Sequence, residues 1–159
     1  MLRYFCNCIP KRSKTTTTAE KYLEIITYQD TIPFVPPITS GKVIKVYDGD
    51  TITIASKLPY KDSPIYRFSI RLLGIDSPEM KSKTNTEKQL AIVARDALSN
   101  LIMDKTIHLK NISTEKYGRV LANVYLDDLH VNQWMLDNNH AVLYDGGTKN
   151  RPPEWDNVI

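Results

Sequence analysis

Three short segments hold the residue types able to do chemistry: Asp48-Gly49-Asp50-Thr51, the run Arg71-Leu72-Leu73-Gly74-Ile75-Asp76-Ser77-Pro78-Glu79, and Lys116-Tyr117-Gly118-Arg119. Together they supply two carboxylates for a hard metal ion, a third carboxylate able to act on water, and two arginines. That inventory suits phosphodiester hydrolysis, which neutralises the phosphate, binds a divalent cation and delivers a nucleophile. Each segment alone has a plainer meaning. Asp48-Gly49 is a hairpin turn, an arginine on a strand is a solvated side chain or surface ion pair, and Lys116 to Arg119 is a polar turn entering a strand. The turn accounts for Asp48 and Gly49 but leaves Asp50 unexplained at the head of the next strand.

The elements that must position these residues are legible from Gly41 onward. Lys42 to Tyr47 and Thr51 to Ile54 are β-rich runs joined by Asp48-Gly49, a hairpin signal. Tyr66 to Ile75 alternates Phe68, Ile70 and Leu72 against Arg67, Ser69 and Arg71, which predicts a half-buried strand. Strict alternation puts Asp76 on the face opposite Arg71, so the two converge only if the chain bends. Gly74 permits the bend and Pro78 ends the strand. Thr86 with Gln89 forms a capping box, followed by an apolar helical face of Leu90, Val93, Ala94, Ala97, Leu98, Leu101 and Ile102. Thr106 to Ile112 and Val120 to Leu126 are two more strands. Asn132 to Asn138 is a second helix burying Trp134 and Met135, with Asn139 as a left-handed cap. Ala141 to Tyr144 is a last short segment before the Gly146-Gly147 loop.

Residues 1–40 read as a partly disordered appendage to a domain covering 41–159. Lys11 to Lys14 is basic, Thr15 to Thr18 is low-complexity, and Ile32 to Pro37 resists regular structure. Thr17 with Glu20 caps a short helix through Tyr22, Leu23, Ile25 and Ile26, although Ile25 to Tyr28 suits a strand equally well.

Charge gives little guidance to partners. The net charge is +3, and residues 41–159 hold 16 Lys and Arg against 15 Asp and Glu. A strongly basic footprint is absent, so attraction to phosphate must come from local clustering. Cys6 and Cys8 are too close for a good intrachain disulfide, and the 41–159 region has no cysteine, so the fold is expected not to depend on redox state. No apolar run reaches the ~18 residues of a spanning helix. Met1 to Pro10 lacks the apolar core of a secretory signal, which predicts an intracellular, cytoplasmic protein. S-acylation of Cys6 and Cys8 beside Lys11 to Lys14 would give a peripheral membrane tether, weighed against thiols in a neutral tail. Leu2 excludes N-myristoylation.

The three segments in this order resemble the catalytic set of the staphylococcal (micrococcal) nuclease family, over about Lys42 to Tyr144. The resemblance implies an α+β fold, a five-stranded OB-type β-barrel with two to three packed helices. It implies a calcium-dependent, sugar-nonspecific endonuclease that cuts DNA and RNA, preferring single-stranded or locally unpaired regions, and leaves 3′-phosphate ends. No obligate protein partner is implied. By the same resemblance Asp50, Asp76 and the backbone carbonyl of Ser77 are Ca²⁺ ligands. Arg71 and Arg119 contact the scissile phosphate, Glu79 orients or deprotonates the attacking water, and Lys116 and Tyr117 bind substrate. Tyr144 aligns loosely with a base-stacking aromatic, against a structural role. The alternative reading is a non-catalytic OB-fold nucleic-acid-binding module. Such modules typically lose the carboxylates or arginines, whereas this chain keeps all five.

Overall fold

Alternation of apolar residues every second position builds a barrel wall whose inner face is closed to water. The computed structural model describes residues 23–115, 118–147 and 152–155. The chain divides into two compact units, Met1–Pro33 and Phe34–Ile159. In the first, Tyr28–Asp30 is a single 3-10 turn, and Asp30 accepts both the amide and the hydroxyl of Thr27. A strand from Ile25 to Tyr28 is therefore not formed; most of the alternative helix lies outside the described residues.

The second unit contains strands β1 (Ser40–Val46), β2 (Thr51–Lys57), β3 (Ile65–Leu72), β4 (Ile75–Asp76), β5 (Thr106–Thr114), β6 (Val120–Leu126), β7 (Leu129–His130) and β8 (Val142–Leu143). Helix α1 spans Asn85–Ile102 and α2 spans Val131–Asp137. The main sheet has the order β3-β2-β1-β5-β6-β7, and a parallel pairing of β3 with β6 closes it. Strands β1, β2, β3, β5 and β6 thus form the five-stranded barrel of an α+β fold, while β4 and β8 make a separate antiparallel pair. Val43, Ile52, Ile54, Ile70, Leu72, Ile107 and Val124 fill the interior, joined by Ala94, Leu98 and Ile102 of α1 and by Val131 and Met135 of α2. Among the described residues no helix is long and apolar enough to cross a membrane.

The local reading of α1 needs two corrections. The helix starts one residue after Thr84, not at a Thr86–Gln89 box: the Thr84 hydroxyl accepts the Glu87 amide at 3.3 Å. Its buried positions are Glu87, Ala91, Ala94, Leu98 and Ile102, and Val93 is exposed. The earlier start extends the packed stripe back to Glu87, whose buried carboxylate an apolar pattern does not register. In α2, Met135 is buried, Trp134 half-buried, and Asn139 takes the left-handed φ of 58°.

Candidate active site

Strand register brings the first two charged residues together. Thr51 of β2 pairs with Arg71 of β3, and the Leu72 amide donates to the Asp50 carbonyl at 2.8 Å. Asp50 therefore enters the site from the start of one strand as Arg71 leaves the end of its neighbour. Gly49 has no positive φ; what it needs is space. A Cβ there would lie 2.8 Å from the Ser77 Cβ and 2.9 Å from the Ala94 Cβ. Its role is close approach of the turn to the 77 loop and α1, not the left-handed hairpin geometry that Asp-Gly predicts.

Beyond β3 the chain bends at Gly74, with φ of 79°, before β4. The bend is anchored by the Tyr144 amide on the Gly74 carbonyl at 2.9 Å and by pairing of Ile75 and Asp76 with Leu143 and Val142. It returns Asp76 to Arg71. The Arg71 guanidinium then bridges the two carboxylates, Nη1 to Asp50 Oδ1 at 2.5 Å and Nη2 to Asp76 Oδ1 at 2.7 Å. Nη2 also donates to the Ile75 carbonyl at 3.3 Å. Asp50 accepts further bonds from the Thr51 hydroxyl at 2.8 Å and the Ser77 amide at 3.1 Å. Asp50, Arg71, Asp76 and Ser77 are all buried. Burial alone would lower the arginine pKa, but Asp50 and then Asp76 outweigh it and raise it above the ordinary value. Asp48 is pushed up to about 6, by burial first and by the neighbouring Asp50 charge second.

Glu79 lies exposed on the loop after Pro78, and its amide is held by Glu87 Oε1 of α1 at 3.1 Å. Arg119 comes from the opposite side, immediately before Val120, which pairs with Ile70. Its Nε donates to Glu115, and the turn between them is closed by the Glu115 amide on the Arg119 carbonyl at 3.0 Å. Tyr144 places its ring 5.8 Å from the Arg71 guanidinium carbon. One cleft of about 900 Å³ is lined by Asp48, Asp50, Arg71, Asp76, Ser77, Glu79, Glu115, Arg119 and Tyr144. Lys116 and Tyr117 lie outside the described residues.

No sequence motif points to Glu87 or Glu115. The nearest signal for Glu115 is its four-residue spacing from Arg119. Glu87, inside a helix, offers none.

Among the described residues no group of three or more His, Cys, Asp and Glu side chains is arranged to hold a metal ion. The donors present still suit a hard cation: Asp50, Asp76 and the Ser77 carbonyl offer oxygen alone. Asp48, Asp50 and Asp76 also outnumber the one buried arginine between them, a surplus that a cation relieves.

Residues 69–156 match the family described as "Staphylococcal nuclease homologue". The chain is similar to an "Uncharacterized endonuclease" of Escherichia coli, 29% identical over 126 residues, which cover 79% of this chain and 74% of that protein. A protein of the same name from Haemophilus influenzae is 31% identical over 103 residues, covering 65% and 51%. A "Probable staphylococcal-like nuclease" of Oryza sativa subsp. japonica is 32% identical over 75 residues, covering 47% of this chain and 18% of that protein. With a closed five-stranded barrel, a cleft that gathers carboxylates and arginines, and a family match over more than half its length, the chain belongs to the staphylococcal nuclease homologue family.

Proposed function

We propose that this chain is a calcium-dependent endonuclease that hydrolyses phosphodiester bonds of DNA and RNA, in single-stranded or locally unpaired regions, and leaves 3′-phosphate ends. The observation that carries this is the convergence of Asp50, Arg71, Asp76, Glu79 and Arg119 on one cleft. Family membership and the relatives named endonuclease or nuclease support hydrolysis of nucleic acid. The gathered side chains address phosphate and water, which supports tolerance of either sugar.

Asp50, Asp76 and the Ser77 carbonyl would hold Ca²⁺, which when bound supplies Lewis-acid polarisation of a phosphate oxygen. Arg71 and Arg119 bind the scissile phosphate from two sides. Their planar, permanently charged forks take up the negative charge added in the pentacoordinate transition state. Glu79 orients the attacking water and accepts its proton. The bond from phosphorus to the 5′-oxygen breaks in line with attack; that oxygen takes a proton from solvent, and Glu79 returns its proton to solvent. Two protein carboxylates make a weak calcium site, roughly 10⁻⁴–10⁻³ M, so activity follows a rise in calcium above resting levels.

The test is cleavage of single-stranded DNA with Ca²⁺, with Mg²⁺ and with chelator, followed by end analysis. Calcium-dependent products that a polymerase extends only after 3′-phosphatase treatment are expected. Full activity at sub-micromolar free Ca²⁺, or ends that extend at once, would contradict the proposal.

A further inference from the structure

We propose that the outer wall formed by β1, β2 and β3 is a second docking surface, for the phosphate backbone of a nucleic-acid strand leading away from the cleft. It rests on the phosphodiester reading above. Directly paired residues of antiparallel strands share a face. The pairs Thr51–Arg71, Thr53–Ser69, Ala55–Arg67 and Lys57–Ile65 put Arg71, Arg67 and Lys57 on the face opposite the buried Ile52, Ile54 and Ile70. On the other side of β2, Lys42 pairs with Ala55 and Lys45 with Thr53. The bulge between Val43 and Lys45 decides this last pairing. Val43 lies opposite Ile54, so uninterrupted register would set Ile44 against Thr53 and Lys45 on the core face against Ile52. The extra residue turns Lys45 outward instead.

The three strands of this wall supply the basic side chains Lys42, Lys45, Lys57, Arg67 and Arg71 and no carboxylate. Lys42 is paired with Asp104 at 3.1 Å. Among the described residues no carboxylate pairs with Lys45, Lys57 or Arg67. Lys45, Lys57 and Arg67 therefore leave a local positive charge on a domain whose charges nearly cancel in sum. The wall also runs into the cleft. Arg71 is its inner end, and the Lys45 ammonium lies 5.5 Å over the ring of Tyr47, which lines the cleft. Arg67 stands four strand residues from Arg71, about 13 Å, far enough to meet a different phosphate. An extended polyanion whose scissile phosphate sits at Arg71 fits this geometry.

The test is binding of the triple variant Lys45→Ala, Lys57→Ala, Arg67→Ala to a long single-stranded DNA and to a dinucleotide, by anisotropy in chelator, across a range of salt. Losing three single-strand phosphate contacts should make the log–log salt slope for the long strand shallower by about 2. Its affinity at low salt should fall by about tenfold or more, and its advantage over the dinucleotide should shrink. An unchanged slope and affinity would overturn the proposal. So would loss of binding to phosphatidylserine vesicles while the long strand still binds fully, since the wall would then serve a lipid surface. Wild-type hydrolysis of the long strand in Ca²⁺ reports separately on the cleft. If that is absent while the triple variant still loses long-strand affinity, the nuclease reading fails and the docking surface stands.

Discussion

Arg71 holds two buried carboxylates with one guanidinium, and that shared attachment governs what substitutions at the site do. Lysine keeps the charge but cannot span both partners. Arg71→Lys is expected to lower turnover by about 10²–10³, as loss of a preorganised charge-stabilising donor does, measured as kcat on single-stranded DNA. A variant with near-normal turnover would remove Arg71 from the phosphate. Gly49 is tested by its packing: Gly49→Ala forces a methyl against Ser77 and Ala94, and should cost about 1–3 kcal/mol in denaturant unfolding. Asp50, Arg71, Asp76, Glu79 and Arg119 were legible in the sequence because their types already belong to one chemistry. Glu87 and Glu115 were not, because each matters only through a neighbour brought to it by folding.

At the scale of elements, the supports of the site are α1 and the start of α2. Glu87 holds the amide of Glu79 from inside α1. Glu87→Ala should reduce turnover on the order of 10²-fold through a displaced loop, while Glu87→Gln, which keeps an oxygen acceptor, should retain most of it. Equal loss in both variants would assign Glu87 to stability alone. Asn132 ties α2 to the bend: its carbonyl accepts the Val124 amide at 2.9 Å and its amide donates to the Leu73 carbonyl at 2.9 Å. Asn132→Ala leaves a buried N–H unpaired and should destabilise by about 1–3 kcal/mol. Alternation in β3 and the bend at Gly74 could be read from sequence, since both are local. The start of α1 could not: Thr86–Gln89 is a sound local box, but the fold caps the helix at Thr84 and sets Glu87 against the Glu79 amide.

The whole molecule places the negative surplus of the cleft beside a basic barrel wall, and a cation binding the folded form must stabilise it. Ca²⁺ at about 10 mM should raise unfolding free energy by about 1.5–2.5 kcal/mol for a site of the proposed affinity, an effect that Asp50→Asn should abolish. Barrel closure was beyond periodicity, because the parallel pairing of β3 with β6 joins strands separated by α1 and β5. Only the family resemblance anticipated it. The basic wall was hidden for a similar reason: residues 41–159 are nearly neutral in sum, and only strand register shows that Lys45, Lys57 and Arg67 share one face.

The most direct test of the central claim, that this one cleft cuts phosphodiesters, is release of new ends from single-stranded DNA in Ca²⁺ by the wild-type chain and by the double variant Glu79→Ser, Arg119→Ala. Calcium-dependent cleavage that disappears in the double variant, with its folded state retained by circular dichroism, is the predicted result. Cleavage that survives in the double variant would place the chemistry elsewhere, and DNA binding without cleavage by the wild type would make the chain a binding module.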